Sequence, residues 1–163
     1  VHASIPPRSL KELVAYAKAN PGKLNYGTAG VGHIFHLATE TFAQQAGVDL
    51  VHVPYKGIAP AMLEFAAGRI QLIFSATSAN INSLAKAGKA FAVVGGVDKR
   101  MQHLPDVPSF AELGYTNMDA PNWIGLAQSY LAVSNTPEQF TRQLAREHAI
   151  WGPFIKKLGI TLE

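Results

Sequence analysis

Between Leu24 and Gly88 short apolar runs and helix-patterned runs take turns, and most changes of type fall at glycine or proline. Leu24-Asn25-Tyr26, Leu50-Val51-His52-Val53-Pro54 and Ile70-Gln71-Leu72-Ile73-Phe74 read as strands. Helical patterns run from about His33 to Ala46, Ala59 to Ala67 and Ala79 to Ala87, closed by Gly47, Gly68 and Gly88. Alternation at this short spacing predicts an α/β fold, a parallel sheet joined by right-handed crossovers. Ile70 to Phe74 is nearly all apolar, the pattern of a strand buried on both faces, and Phe91-Ala92-Val93-Val94 predicts another.

Local signals place the remaining elements. Pro6-Pro7 keeps Val1 to Pro7 extended. Ser9-Leu10-Lys11-Glu12 is a capping box, after which Leu10, Leu13, Val14 and Ala17 share a face until Asn20-Pro21-Gly22 stops the helix. Past Gly95-Gly96 a proline-punctuated loop leads to a short capped helix, Ser109 to Gly114, and Trp123 to Ala127 predicts a last strand. Thr136-Pro137-Glu138-Gln139 is a second capping box with proline at the first helical position. Phe140, Leu144, Trp151, Ile155 and Leu158 then form a helical stripe, which Gly152-Pro153 is predicted to bend or break.

Bulk properties exclude several classes. With 163 residues, 48% of them hydrophobic, the chain can bury a sizeable core in one domain. No apolar run approaches the roughly 20 residues that cross a bilayer, so membrane insertion is not expected. The net charge of +3 is spread over scattered basic residues, which is no nucleic-acid footprint. Cysteine is absent, which removes disulfides and thiolate metal sites. The chain opens at Val1 with neither an initiator methionine nor a signal peptide, the look of a processed, excised or incomplete sequence.

The chemistry concentrates in Gly27-Thr28-Ala29-Gly30-Val31-Gly32-His33, a strand-to-helix turn with three glycines. Such a turn aims free backbone N–H groups and a helix dipole at one point, which suits a carboxylate or phosphate. Two more strand exits, Tyr55-Lys56-Gly57 and Ser75-Ala76-Thr77-Ser78, belong on the same sheet edge, where ligands bind in open parallel sheets. Together they offer amides, hydroxyls at Thr28, Ser75, Thr77 and Ser78, a phenol at Tyr55 and a cation at Lys56, a donor-rich inventory fitted to a small acid. The plainer reading is that the glycines make tight turns and the hydroxyls cap helices.

Competing motifs fail. A P-loop would need Gly-Lys-Ser/Thr where Gly32-His33-Ile34 stands, and a dinucleotide fingerprint from Gly30 meets Phe35 at its third small position. His33 and His36 lie one turn apart, but Glu40 alone cannot complete a metal site, so neither metal nor cofactor is expected. His36 reads as a half-buried helix residue and His33 as facing the cleft. No Ser-His-Asp arrangement is recognisable.

Leu24 to Gly32, His36-Leu37-Ala38 and Val51-His52-Val53-Pro54-Tyr55-Lys56-Gly57 strongly resemble the substrate-binding proteins of tripartite tricarboxylate transporters, the Bug family. Lys86-Ala87-Gly88-Lys89 and Leu104-Pro105-Asp106-Val107-Pro108-Ser109, with Glu112 and Gly114, fit the same pattern, so the likeness runs from about Ser9 to Ala127. The resemblance implies a periplasmic-binding-protein-like fold of two α/β domains. It also implies capture of small carboxylates in the periplasm and delivery to membrane transporter subunits, with Thr28 to His33 holding the carboxylate through amides.

Family members are longer, and their first domain grips the ligand from the opposite side. On this likeness residues 1–127 are the second lobe, 128–135 a deletion junction near Tyr130 to Val133, and 136–163 a C-terminal helix. That helix is expected to fold back or to pair with another copy. The expected function is an incomplete solute-binding domain, not an enzyme, with weak carboxylate affinity. The alternatives are a truncated remnant that only folds or oligomerises, and a small hydrolase or transferase using the loop as an oxyanion site.

Overall fold

The computed structural model describes residues 1–76, 78–118 and 137–159, which fall into two compact units, Val1–Ala120 and Pro121–Glu163. In the first unit, α1 (Leu10–Ala19) starts at Ser9, whose side chain accepts the Glu12 N–H, while the Glu12 carboxylate accepts the N–H of Arg8 at 2.8 Å. The capping box therefore closes, one residue wider than its ideal form. Leu10, Leu13 and Ala17 are buried, as their spacing predicts.

β1 (Leu24–Thr28), β2 (Leu50–Pro54) and β3 (Leu72–Ile73) form a parallel sheet in the order β2-β1-β3. The register sets Leu24 against Leu50 through Thr28 against Pro54, and Tyr26 and Gly27 against Leu72 and Ile73. Between the strands run α2 (Ile34–Ala46), α3 (Ile58–Ala66) and, after β3, α4 (Ala79–Lys86). From β1 the chain crosses to one side and then returns past β1 to the other. Right-handed crossovers therefore put α2 and α3 on opposite faces. The core divides accordingly: Leu10, Leu13, Tyr26, Phe42, Leu72, Val93 and Phe110 belong to one cluster, Phe65, Ile70 and Ala90 to another.

Two expected strands change. Ile70 to Phe74 is regular only at Leu72–Ile73, and Phe91 to Val94 makes no strand. The leading segment bonds one residue of each stretch. His2 N–H donates to Gln71 O at 2.9 Å, Ala3 N–H to Lys89 O at 2.9 Å and Phe91 N–H to Val1 O at 2.8 Å, leaving a single antiparallel bridge, His2 to Ala90. Val93 still enters the core as a loop residue. The turn at Ala111–Leu113 is 3₁₀ and closes a full capping box. Ser109 N–H donates to the Glu112 carboxylate at 2.8 Å, and Glu112 N–H to Ser109 Oγ at 3.2 Å.

In the second unit α5 (Pro137–Lys157) carries proline at its first position. Its hydrogen-bonded span continues through Pro153, so the expected break does not occur; the ring costs one intrahelical bond and the helix closes at Gly159 (φ 65°). Trp151 packs edge-on against Phe154, ring centroids 6.0 Å apart. The predicted strand Trp123 to Ala127, residues 128–135 and the cap at Thr136 lie outside the described residues.

Candidate functional site

All three predicted strand exits come to the carboxyl edge of the sheet, with β1 in the centre. The chain reverses its winding direction here. The reversal falls between β1 and β3, the kind of point at which open α/β sheets receive ligands. The β2 exit is tied directly to the glycine loop. Tyr55 N–H donates to Thr28 O at 3.0 Å and Gly57 N–H to Ala29 O at 3.2 Å. The two sequence motifs are thus one structural unit.

Within the loop the amides divide into two groups. Gly30 N–H donates to Thr28 Oγ1 at 3.3 Å, Gly32 N–H to His36 Nδ1 at 3.1 Å and His33 N–H to Gly30 O at 3.3 Å. Phe35 N–H is capped by His33 Nδ1. The N–H groups of Ala29, Val31 and Ile34 have no partner among the described residues, and neither do those of Ile58 and Ala59 at the start of α3. Gly57, the N-cap of α3, offers no side chain to take them. Sequence reading put the amides of Thr28 to His33 at the site, but those of Gly30, Gly32 and His33 are taken by the protein's own groups. It did not name Ile34, Ile58 or Ala59. The Gly-Ile-Ala-Pro start, with no Ser, Thr, Asp or Asn at its head, was the available signal.

The predicted side chains fare unevenly. Val31, 62% exposed, and Gly32 form the outer lip, and Gly30 and Gly32 adopt positive φ of 144° and 77°. Lys56 is exposed beside them. Thr28 is fully buried, its hydroxyl bonded to Gly30 O at 3.0 Å and to His52 Nε2 at 2.6 Å, so it offers nothing to a ligand. Gly27 is a packing glycine, since a Cβ there would lie 2.3 Å from Ile70 Cδ1. Ser75 donates to Ala76 O, and Ser78 caps α4 by accepting from Ile81 N–H. The plainer reading therefore holds for Ser78, while Thr28 and Gly27 are taken up by internal hydrogen bonds and packing. Thr77 lies outside the described residues.

Behind the loop sits a polar cluster that sequence reading did not assemble. His36 and His52 stack with ring centroids 3.9 Å apart, and Tyr26 stacks on His52 at 4.9 Å. The Tyr26 hydroxyl donates to the Glu40 carboxylate. Burial pushes His52 down to about 4, with His36 beside it adding to the effect; burial also lowers His36, against an upward pull from Glu40. Burial and the Glu40 bond push the Tyr26 phenol well up. His36 is buried, more deeply than its expected half-burial, and His33 is half-buried. Thr28 with His52 has the outline of a nucleophile and base, but a fully buried hydroxyl already bonded to a carbonyl cannot meet a substrate.

A largely apolar cavity of about 280 Å³ lies elsewhere in the lobe, among Leu13, Phe35, Phe42, Phe65, Phe74 and Val93. Of the predicted site residues that are described, only Ser75 lines it, and its walls suit no carboxylate.

Residues 1–159 match the tripartite tricarboxylate transporter family receptor profile, TctC. The chain belongs to this family. It is 37% identical over 161 residues to a UPF0065 protein from the tcbD-tcbE intergenic region of Pseudomonas sp. (strain P51), an alignment that covers 94% of the chain and 46% of the relative. Among solved structures, Rpa4515 of R. palustris with adipate is similar at 35% identity and TM-score 0.63, covering 72% of this chain and 39% of that one. The periplasmic binding protein BugD is similar at 34% identity and TM-score 0.62, with the same coverage. The chain thus spans under half the length of these relatives, and its lobe is an α/β, periplasmic-binding-protein-like fold.

Proposed function

We propose that the lobe is one wall of a carboxylate-binding cleft in a periplasmic solute receptor that serves a tripartite transporter. The observation that carries this reading is the set of unpartnered amides, Val31 and Ile34 after β1 with Ile58 and Ala59 after β2, on the carboxyl edge of the sheet. Two helix starts favour negative charge there, and Lys56 adds a cation. The adipate bound by a similar protein of this family makes a small dicarboxylate the first ligand to try. Enclosure on one side gives weak binding, so a dissociation constant in the millimolar range is expected. Titrating adipate into ¹⁵N-labelled protein tests this. Shifts concentrated at Val31, Ile34, Ile58 and Ala59 support it; shifts scattered elsewhere, or none, overturn it.

The domain division follows the same reading: residues 1–127 as ligand-binding lobe, 128–135 as a junction, 136–163 as a terminal helix. Pairing of two copies through α5 is supported by Ile150, 38% exposed on that helix; Trp151 is already buried within the single chain. Light scattering should report a dimer that Ile150→Asp dissociates, and a monomer at all concentrations would remove the idea.

A further inference from the structure

The Gly30–Gly32 loop rests on a buried imidazole. Gly32 N–H donates to His36 Nδ1, a bond that exists only while this nitrogen is unprotonated, so the neutral ring carries its hydrogen on Nε2. His52 stacks on the face of the same ring and reaches the loop through Thr28, whose hydroxyl bonds Gly30 O. Both glycines of the loop are thus fastened, directly or at one remove, to the histidine pair.

We infer that His36 is the positioning residue of the glycine loop, a latch that holds Gly32 while its ring is neutral and releases it when the ring takes a proton. The groups facing His36 define the conditions. From β1 comes Tyr26, whose hydroxyl is given to Glu40; from β2 comes His52; on α2 itself stand Glu40 and His33, the latter with Nδ1 engaged by Phe35 N–H. Burial opposes a charge on His36 and Glu40 favours one, while a charge on His36 in turn opposes one on His52. A proton on Nδ1 sets two donors face to face, and the contact must open. The outer residue Val31, at 62% exposure, has little packing to oppose the movement. Neither glycine has a side chain to hold the loop in place.

This inference goes beyond the carboxylate reading, and its test needs no ligand. In the full chain, ¹⁵N NMR at about pH 7.5 should show a trans-hydrogen-bond coupling between Gly32 N and His36 Nδ1. On acidification the coupling should vanish with the His36 titration, and protection of the Gly32 amide, corrected for intrinsic exchange, should fall by roughly tenfold or more. His36→Asn places a non-titrating acceptor near the same point and should keep the Gly32 shift flat over that range. A wild-type Gly32 amide indifferent to the titration overturns the latch, and that arm needs no variant. A His36→Asn protein that retains the wild-type titration overturns it equally. Adipate added at both pH values keeps the two readings apart. No adipate shifts with an intact Gly32 titration removes the carboxylate reading alone, and adipate shifts with an indifferent Gly32 remove the latch alone.

Discussion

Tyr26 and His52 are register partners in the β1–β2 ladder, and their rings stack at 4.9 Å with planes 21° apart. The stack continues to His36, and the Tyr26 hydroxyl reaches Glu40 one helical turn further along α2. One fully buried phenol therefore joins both strands to the helix that carries the glycine loop. Tyr26→Phe keeps the ring and leaves the Glu40 carboxylate without its donor. A loss of about 1–2 kcal/mol is expected in urea unfolding, with a smaller loss for Glu40→Gln, which keeps an acceptor. Unfolding curves that superimpose for Tyr26→Phe and wild type would show that the bond contributes nothing.

The same cluster makes stability depend on pH, with a definite sign. Burial holds His52 at about 4, below its ordinary 6.5, and lowers His36 as well. A base depressed in the folded state takes its proton more readily when unfolded, so its contribution is whole above the unfolded value and is lost as pH falls toward the folded one. Unfolding free energy should therefore drop between about pH 7 and pH 4, by at most about 3 kcal/mol for His52 and less after allowance for its partial exposure. His52→Gln should flatten the profile in that window. A profile that rises on acidification contradicts the burial argument.

Gly27 is a packing residue more than a ligand-access residue. Its missing Cβ leaves room for Ile70, which is 2% exposed against Phe65 and Ala90. Gly27→Ala should destabilise by about 1–3 kcal/mol. Ile70→Val removes the Cδ1 that the new methyl would strike and alone costs about 1 kcal/mol. The double variant should lose less than the sum of the two, and strict additivity would show that the contact does not govern the position.

Features whose cause lies within a few residues were legible from sequence: the box at Ser9, the short capped turn from Ser109, the stop at Gly47, the full extent of β2, and the loop as a strand-to-helix turn. What escaped was set by distant chain. Phe91 to Val94 has strand composition, yet Phe91 bonds Val1 and the stretch joins no strand of the sheet. His36 and His52 are ordinary residues in their own segments and become a pair only because the register sets Tyr26 beside His52 while α2 folds back over β1. Composition likewise could not separate Thr28, turned inward, from Lys56, turned outward.

Lys56 supplies the last prediction. It sits between two residues whose amides are fixed to the glycine loop, Tyr55 to Thr28 O and Gly57 to Ala29 O, so its backbone cannot drift from the unpartnered amides while its ammonium remains in solvent. An exposed cation of this kind attracts a dicarboxylate through a screened field, and salt weakens it strongly. Lys56→Ala should weaken adipate binding by roughly three- to tenfold at about 0.02 M salt, and the difference should shrink below about twofold at about 0.5 M, where the Debye length is only a few ångströms. The residual affinity in high salt then measures what the amides contribute by themselves. If Lys56→Ala binds adipate as wild type does in low salt, the cation has no part in recognition. If its defect persists undiminished in high salt, Lys56 acts through a direct, ordered contact and the field argument fails.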